Sequence, residues 1–342
     1  MSHTSPPPRE QSSIRADGQG RTDQVGHTSP SPGEPSSARA DGQSRPDQVG
    51  DTSPPPVEPG RLVGAGSDGR TPAEAEPDRA GPDRSGIDPT SLAAALAQTR
   101  WGPVRLLERT GSTNADLLEW LRQGRASPGQ VVLAERQGRG RGRLDRTWSS
   151  PPGASVLLSA AVGLPDPAAG PVWTQLPLVA GLAVVGAAAD LGVAVRLKWP
   201  NDALIDGRKW AGLLIETTQA AGRPVAVIGI GANVRQRQAQ LPIAQATSLA
   251  LAGSTASPPT VAVALLRRLD RELTAWLDGI DPMERYRAAS ATLGQTVRVL
   301  TGPDQFVSGR AVAIADDGRL VVETAQGRQL FAAGDVVHLR AG

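Results

Sequence analysis

LKWPNDALIDGRKWAGLLIE, residues 197–216, is the stretch on which the reading of this chain turns. Two short apolar runs, Val195–Trp199 and Gly212–Glu216, flank the dipeptide Asp206-Gly207. Asp-Gly is the strongest two-residue hairpin signal, because the tight turn needs positive φ at both positions. Ala203–Leu214 therefore reads as a hairpin. Lys198 ends one strand and Lys209 leaves the turn on another, with Asn201 and Asp202 between them. That placement can aim two ammonium groups into one pocket. Lysine beside a turn is ordinarily just solvated, but these two are the only lysines among 36 basic residues. In a chain that uses arginine wherever a positive charge suffices, a retained lysine marks a position that needs a compact ammonium rather than a planar guanidinium.

Outward from this hairpin the pattern is α/β. Strand-like runs lie at Val131–Glu135, Ser155–Val162 and Val225–Gly231, and helices are expected over Ser91–Thr99, Leu176–Leu191 and Val261–Leu277. GSTNADLLEWLRQG (111–124) gives a further helix with Ser112 or Thr113 as its N-cap. From Leu293 the period changes to short alternating strands, TVRVL, FVSGRAVAIA, RLVVET, RQLFA and DVVHLR, separated by Gly-containing turns. Such spacing fits a small β-barrel-like module. The expected fold class is α+β, with a mixed β-sheet and flanking helices over residues 87–287 and an all-β module over 288–342.

Residues 1–86 differ in kind. Residues 3–26 (HTSPPPREQSSIRADGQGRTDQVG) recur as 27–50 (HTSPSPGEPSSARADGQSRPDQVG), and a third, decaying copy starts at Asp51. Each copy has almost nothing apolar to bury, so duplication of a linker explains the period better than a solenoid does. A disordered Pro/Gly/Ser-rich tail is expected. It carries nine basic and thirteen acidic residues, net −4, which leaves +6 on the remainder (27 basic against 21 acidic). A basic body suits an anionic substrate.

Absences narrow the chemistry. There is no cysteine, hence no disulfide, thiolate nucleophile or Cys-ligated metal. His3 and His27 fall in the tail, and His338 alone cannot make a Ser-His-Asp triad or a His-rich metal site. The reaction must run on Arg, Lys, Asp, Glu, Asn, hydroxyls and backbone amides. No segment approaches the roughly 20 apolar residues of a membrane span, and no apolar leader follows Met1, so a cytoplasmic location without membrane association is expected.

Two more clusters bear on ligands. AERQGRGRGRLDRTW (134–148) sets Arg139, Arg141, Arg143 and Arg146 among Gly138, Gly140 and Gly142 directly after an apolar strand. Glycines let the backbone approach a ligand, and guanidinium forks suit carboxylate and phosphate. An Arg/Gly nucleic-acid segment has the same composition, but this one is brief, lies between strands and ends in Trp148. VIGIGANV (227–234) resembles part of a dinucleotide fingerprint, yet Val234 replaces the third glycine and no βαβ unit surrounds it. A phosphate-binding Walker loop is excluded, since Trp follows both lysines.

GSTN, the Gln137/GRGR/Arg146/Trp148 pattern, KWPND, GRKWAGLLIE and GIGANV stand in the order found in bacterial biotin–protein ligases, and the resemblance spans Ile87 to Gly342. It implies a biotin/lipoate ligase-like catalytic domain and an SH3-like C-terminal barrel. It also implies an enzyme that uses ATP to activate biotin as biotinyl-5'-AMP and passes it to a lysine of a biotin carboxyl carrier protein, a carboxylase subunit. By this resemblance Ser112, Thr113, Asn114 and Gln137 would contact biotin, with Gly140, Arg141, Gly142 and Arg143 closing over it. Lys209 would meet the biotin carboxylate. Lys198 and Arg143 would face the ATP phosphates, and Asn201, Asp202 and Asn233 would order the nucleotide, whose phosphates carry most of the contact with Mg²⁺. The loop departs from the family at Arg139 and at Leu144-Asp145, which bears on how it closes. Some members carry an N-terminal winged helix-turn-helix; the tail here has no helical periodicity, so no DNA-binding role is expected. Members are monomers or homodimers. Lipoate–protein ligases share the fold and the adenylation logic and are the nearest alternative; the Gln137–Trp148 arrangement and the C-terminal module favour biotin.

Overall fold

A computed structural model describes residues 84–144, 146–166, 173–301, 305–332 and 335–339; the tail expected over 1–86 lies outside them except for its last three residues. In chain order the elements are α1 (Pro89–Ala95), β1 (Val104–Thr110), α2 (Thr113–Arg122), β2 (Val131–Gln137), the two-stranded pair β3 (Gly140–Arg141) and β4 (Thr147–Trp148), β5 (Ser155–Gly163) and α3 (Leu176–Asp190). Then come β6 (Arg196–Lys198), β7 (Asp202–Ile205), β8 (Arg208–Ala220), β9 (Arg223–Asn233), α4 (Pro258–Leu277) and α5 (Met283–Ala289). The chain closes with β10 (Thr296–Leu300), β11 (Phe306–Ile314), β12 (Leu320–Thr324), β13 (Gly327–Phe331) and β14 (Asp335–His338).

One seven-stranded sheet, ordered β1-β2-β5-β9-β8-β7-β6, organises the first part. It is mixed, as expected: β1 and β2 run parallel across α2, and the other neighbours are antiparallel. The βαβ unit is thus β1–α2–β2. The glycines of β9 stand between two antiparallel partners, which no dinucleotide fingerprint has. Eight of the nine residues of β5 are buried because both faces of the sheet are covered. Val156, Leu158, Ala160, Ala226, Ile228 and Ile230 join the core beneath α3 and α4. On the other face Leu117, Leu118 and Leu121 of α2 pack on Val132, Ala161, Val225 and Val227. Burying each of these leucines contributes about 2 kcal/mol.

α3 with its preceding turn, Trp173–Asp190, is long and apolar enough to cross a membrane by length and composition. It is instead a core helix, buried through Leu176, Leu178, Val179, Ala183, Val184 and Ala187.

The second sheet is antiparallel, β13-β12-β11-β10-β14, consistent with an SH3-like module. Residues 290–292, which lead into it, and its β11–β12 turn hold β6 and Trp199. Ala291 N–H donates to Leu197 O (2.7 Å), Arg196 Nη2 to Ser290 O (2.5 Å), Trp199 N–H to Thr292 Oγ1 (2.9 Å), and Trp199 Nε1 to Gly318 O (3.0 Å).

Several expectations are corrected. α1 starts at Pro89, earlier than Ser91, because the Asp88 carboxylate accepts from Thr90 and Ser91 N–H and proline fits the first helical position. Packed structure reaches back to Ser85, whose N–H and Oγ both donate to the Glu135 carboxylate at 2.7 Å. The strands expected at 212–216 and 225–231 are the inner halves of a longer ribbon, whose polar outer end runs to Ala220 and Arg223. β1, α5 and the small β3–β4 pair inside the Arg/Gly cluster were not anticipated.

Candidate active site

The α2-bearing face of the sheet continues past the N-terminus of that helix as the floor of an open cavity of about 1430 Å³. Period-2 alternation puts Leu157, Leu214, Gly212, Gly229 and Gly231 on this floor, and Asp202, Leu204 and Lys198 carry it across β7 and β6. Lys209 reaches it through an irregularity. The β7–β8 pairing shifts between Ala203↔Ala211 and Leu204↔Lys209, so Trp210 is an extra residue in β8. This bulge lets both Lys209 and Gly212 face the cavity while Trp210 turns into the core, fully buried, its Nε1 donating to Asn233 O (2.9 Å). Re-aiming a side chain is a common use of a bulge.

At one end the groups are linked and their charges are paired. Gln137 Oε1, at the end of β2, accepts from Thr113 N–H (2.8 Å) and Thr113 Oγ1 (3.1 Å), satisfying one of the otherwise unpaired donors at the start of α2. A Cβ on Gly140 would sit 2.4 Å from the Trp148 backbone oxygen and 2.9 Å from Gln137 Nε2, so position 140 admits no side chain. Ser159, fully buried in β5, touches Thr113 Oγ1 (2.7 Å) and Asn114 Oδ1 (2.5 Å). Asn114 Nδ2 donates to Leu214 O (3.1 Å) and to Glu216 Oε2 (3.0 Å). Glu216 in turn binds Arg141 Nη2 through both oxygens (2.8 and 2.7 Å), fastening the β3–β4 pair to the sheet.

The other end is cationic. Arg143, Arg146, Lys198 and Lys209 line it, with Asp202 as the single carboxylate among the described lining residues; its Oδ1 is 2.6 Å from Lys209 Nζ. Burial pushes the Lys198 pKa down; Asp202 opposes this, while Lys209 and Arg146 add to it. Burial likewise lowers Arg143, with Asp202 opposing. An arginine remains charged regardless. Between the ends, the Trp148 indole lies over Gly231 and Gly212, where a Cβ would come within 2.6 and 3.1 Å of the ring. Lys209 Nζ sits 5.7 Å from the centre of that ring.

Of the residues given a ligand role by the family resemblance, all but Gly140 line this one cavity: Ser112, Thr113, Asn114, Gln137, Arg141, Gly142, Arg143, Lys198, Asn201, Asp202, Lys209 and Asn233; Gly138 and Arg139 of the Arg/Gly cluster do not. Gly140 lies beneath the wall, paired with Trp148. Asn201 and Asn233 are partly committed to scaffolding. Asn201 Nδ2 donates to Leu213 O (2.8 Å), and Asn233 Nδ2 donates to Thr247 O (2.9 Å), holding the 242–247 wall. Among the described residues no group of three His, Cys, Asp or Glu side chains is placed to hold a metal ion. Sequence reasoning missed Ser159, Glu216 and His338. A lone serine within the apolar run SVLLSAAVG is the signal that would have found the first.

Relatives bear directly on this arrangement. Residues 106–234 match the family described as Biotin/lipoate A/B protein ligase, and 292–339 match the Biotin protein ligase C terminal domain. A biotin–[acetyl-CoA-carboxylase] ligase of Mycobacterium tuberculosis is 38% identical over 264 residues, covering 74% of this chain and 96% of that protein. The chain belongs to the biotin protein ligase family. Another such ligase, from Paracoccus denitrificans, is 34% identical, covering 68% of this chain and 98% of the relative. The bifunctional ligase/repressor BirA of Escherichia coli is 33% identical, with 67% of this chain and 71% of BirA covered. Among solved structures of the family, that of the Aquifex aeolicus biotin protein ligase in complex with biotin and ATP superposes with a TM-score of 0.59 at 27% identity, covering 70% of this chain and all of the other.

Proposed function

We propose that this chain activates biotin with ATP to biotinyl-5'-AMP and transfers the biotinyl group to a lysine of a biotin carboxyl carrier protein. The observation that carries this reading is a single cavity with a neutral hydrogen-bonding end and a cationic end, lined by the motif residues of the family. The bicyclic, uncharged part of biotin suits Ser112, Thr113, Asn114 and Gln137, and its carboxylate suits Lys209. The nucleotide phosphates suit Arg143 and Lys198. In the first half-reaction a carboxylate oxygen attacks the α-phosphorus and pyrophosphate leaves. In the second an amine attacks the mixed anhydride and AMP leaves. Both develop negative charge on oxygen that fixed cations stabilise, and neither needs an enzyme nucleophile. A lone carboxylate, one oxygen of which already faces Lys209, is no metal cage, but it fits Mg²⁺ that arrives on the triphosphate and takes its remaining ligands from water and one or two protein oxygens. Asp202 and Asn201 would supply those oxygens, and the ion would neutralise phosphate charge.

Incubating the protein with labelled biotin, Mg·ATP and a biotin carboxyl carrier domain tests the reading. Label on the carrier, dependent on ATP and absent when its acceptor lysine is replaced, is the expected result. Transfer of lipoate in preference to biotin would overturn the substrate assignment.

A further inference from the structure

His338 has no part in the reading above. It ends β14, in the C-terminal module, and its side chain belongs to the wall of the same cavity as Lys198 and Lys209. Its Nε2 lies 3.1 Å from Thr292 Oγ1, an oxygen that accepts the N–H of Trp199 at 2.9 Å. The imidazole is thus tied to the residue that follows Lys198. Burial, and then the Lys198 ammonium, hold its pKa below the usual histidine range. It is therefore uncharged at neutral pH, with one ring nitrogen free to accept a proton. Besides Lys198, the charged groups among the described lining residues are Arg141, Arg143, Arg146, Lys209 and Asp202. Four of these are cations, and the carboxylate is joined to Lys209. Among the described lining residues, His338 is the group that can take up a proton near pH 7 without breaking an ion pair.

The transfer half-reaction, on the ligase reading, releases a proton. We infer that His338 is the proton acceptor for the attacking lysine amine. The amine nitrogen bonds to the carbonyl carbon of the mixed anhydride. The bond from that carbon to the phosphate oxygen breaks, and AMP departs with the electron pair. The proton shed by the nitrogen passes to Nδ1 of His338, while Nε2–H donates to Thr292 Oγ1. The first half-reaction, attack by an already ionised carboxylate, has no proton to dispose of. His338 would therefore serve the second step specifically.

His338→Gln tests this, because the amide preserves a donor toward Thr292 and offers no basic nitrogen. Biotin-dependent ATP–pyrophosphate exchange reports the first half-reaction, and single-turnover transfer from preformed biotinyl-adenylate to the carrier domain reports the second. General-base contributions are roughly 10²–10⁴, so transfer at pH 7 should fall at least about tenfold more than exchange does. The acidic inflection of the wild-type transfer profile should disappear, and added imidazole should restore transfer in His338→Ala. Equal losses in both half-reactions, or a His338→Ala variant that imidazole does not rescue, would overturn the inference. Wild-type protein that shows no biotin-dependent exchange would remove the ligase reading instead.

Discussion

The two ends of the cavity solve opposite problems. At the neutral end, the hydroxyl of Thr113 and the side-chain oxygens of Asn114 and Gln137 are bound to one another or to Ser159 before any ligand arrives. At the cationic end, Arg143, Lys198 and Lys209 face Asp202, so among the described lining residues these cations outnumber the carboxylate. The first end is an interlocked network that fixes orientation, as buried polar networks do when every member is satisfied. The second is kept electrostatically unsatisfied, a standing field that an anionic substrate completes. Specificity and driving force are thereby built in separate places on one sheet face.

The most severe way to break this division is at Lys209. Lys209→Ala should lower adenylate formation by about 10²–10³, the range for deleting a group that stabilises developing charge. Biotin-dependent pyrophosphate exchange measures it, and near-normal exchange would mean that the field does not act through Lys209. A smaller loss is expected at the other end. Gln137→Ala removes one acceptor from the start of α2 and one donor from the wall, so biotin affinity should weaken by about 1–3 kcal/mol. Titration calorimetry would read this, and the KM for ATP should stay within about twofold. A comparable rise in both would show that the two ends are not separate.

The mildest test is of pH. Lys198 has a lowered pKa, and its charged form is the one that attracts phosphate. As pH rises through that pKa the cation is lost, so kcat/KM for ATP should fall about tenfold per unit once past it. The descent should begin below the ordinary lysine value of about 10.4. In Lys198→Arg the charge persists, so the descent should move to higher pH. An unmoved alkaline limb would assign it to another group.

What the sequence disclosed was what local chemistry controls. Asp206-Gly207 sets its own turn, with φ of 48° and 72°, and the apolar runs of β5 and β9 reveal strands covered on both faces. β1 was hidden because VRLLERT mixes charge and leucine without a clean alternation, as its mixed burial reflects. α5 has only seven residues, two of them buried, too few to show a periodic face. The bulge at Trp210 is a matter of register between strands, so nothing in GRKWAG betrays it, although it decides where Lys209 points. The motif residues themselves were legible because they cluster in the chain. Glu216 supports the cavity wall, and His338 joins it, through contacts 75 and 46 residues away, Arg141 to Glu216 and Thr292 to His338, distances over which no local pattern speaks.

Both lysines of the chain open onto the cavity, and this bears on how the protein survives its own product. A released acyl-adenylate acylates whatever ε-amine it meets, and the outer surface of this protein carries none. Self-labelling is confined to the α-amino group and to the two cavity lysines, one of them held against Asp202 at 2.6 Å. The same arrangement makes intact-mass measurement after turnover a clean readout. Carrier protein should gain biotin while the ligase keeps its mass, and any biotin found on Lys198 or Lys209 would mark adenylate that reacted before leaving the site.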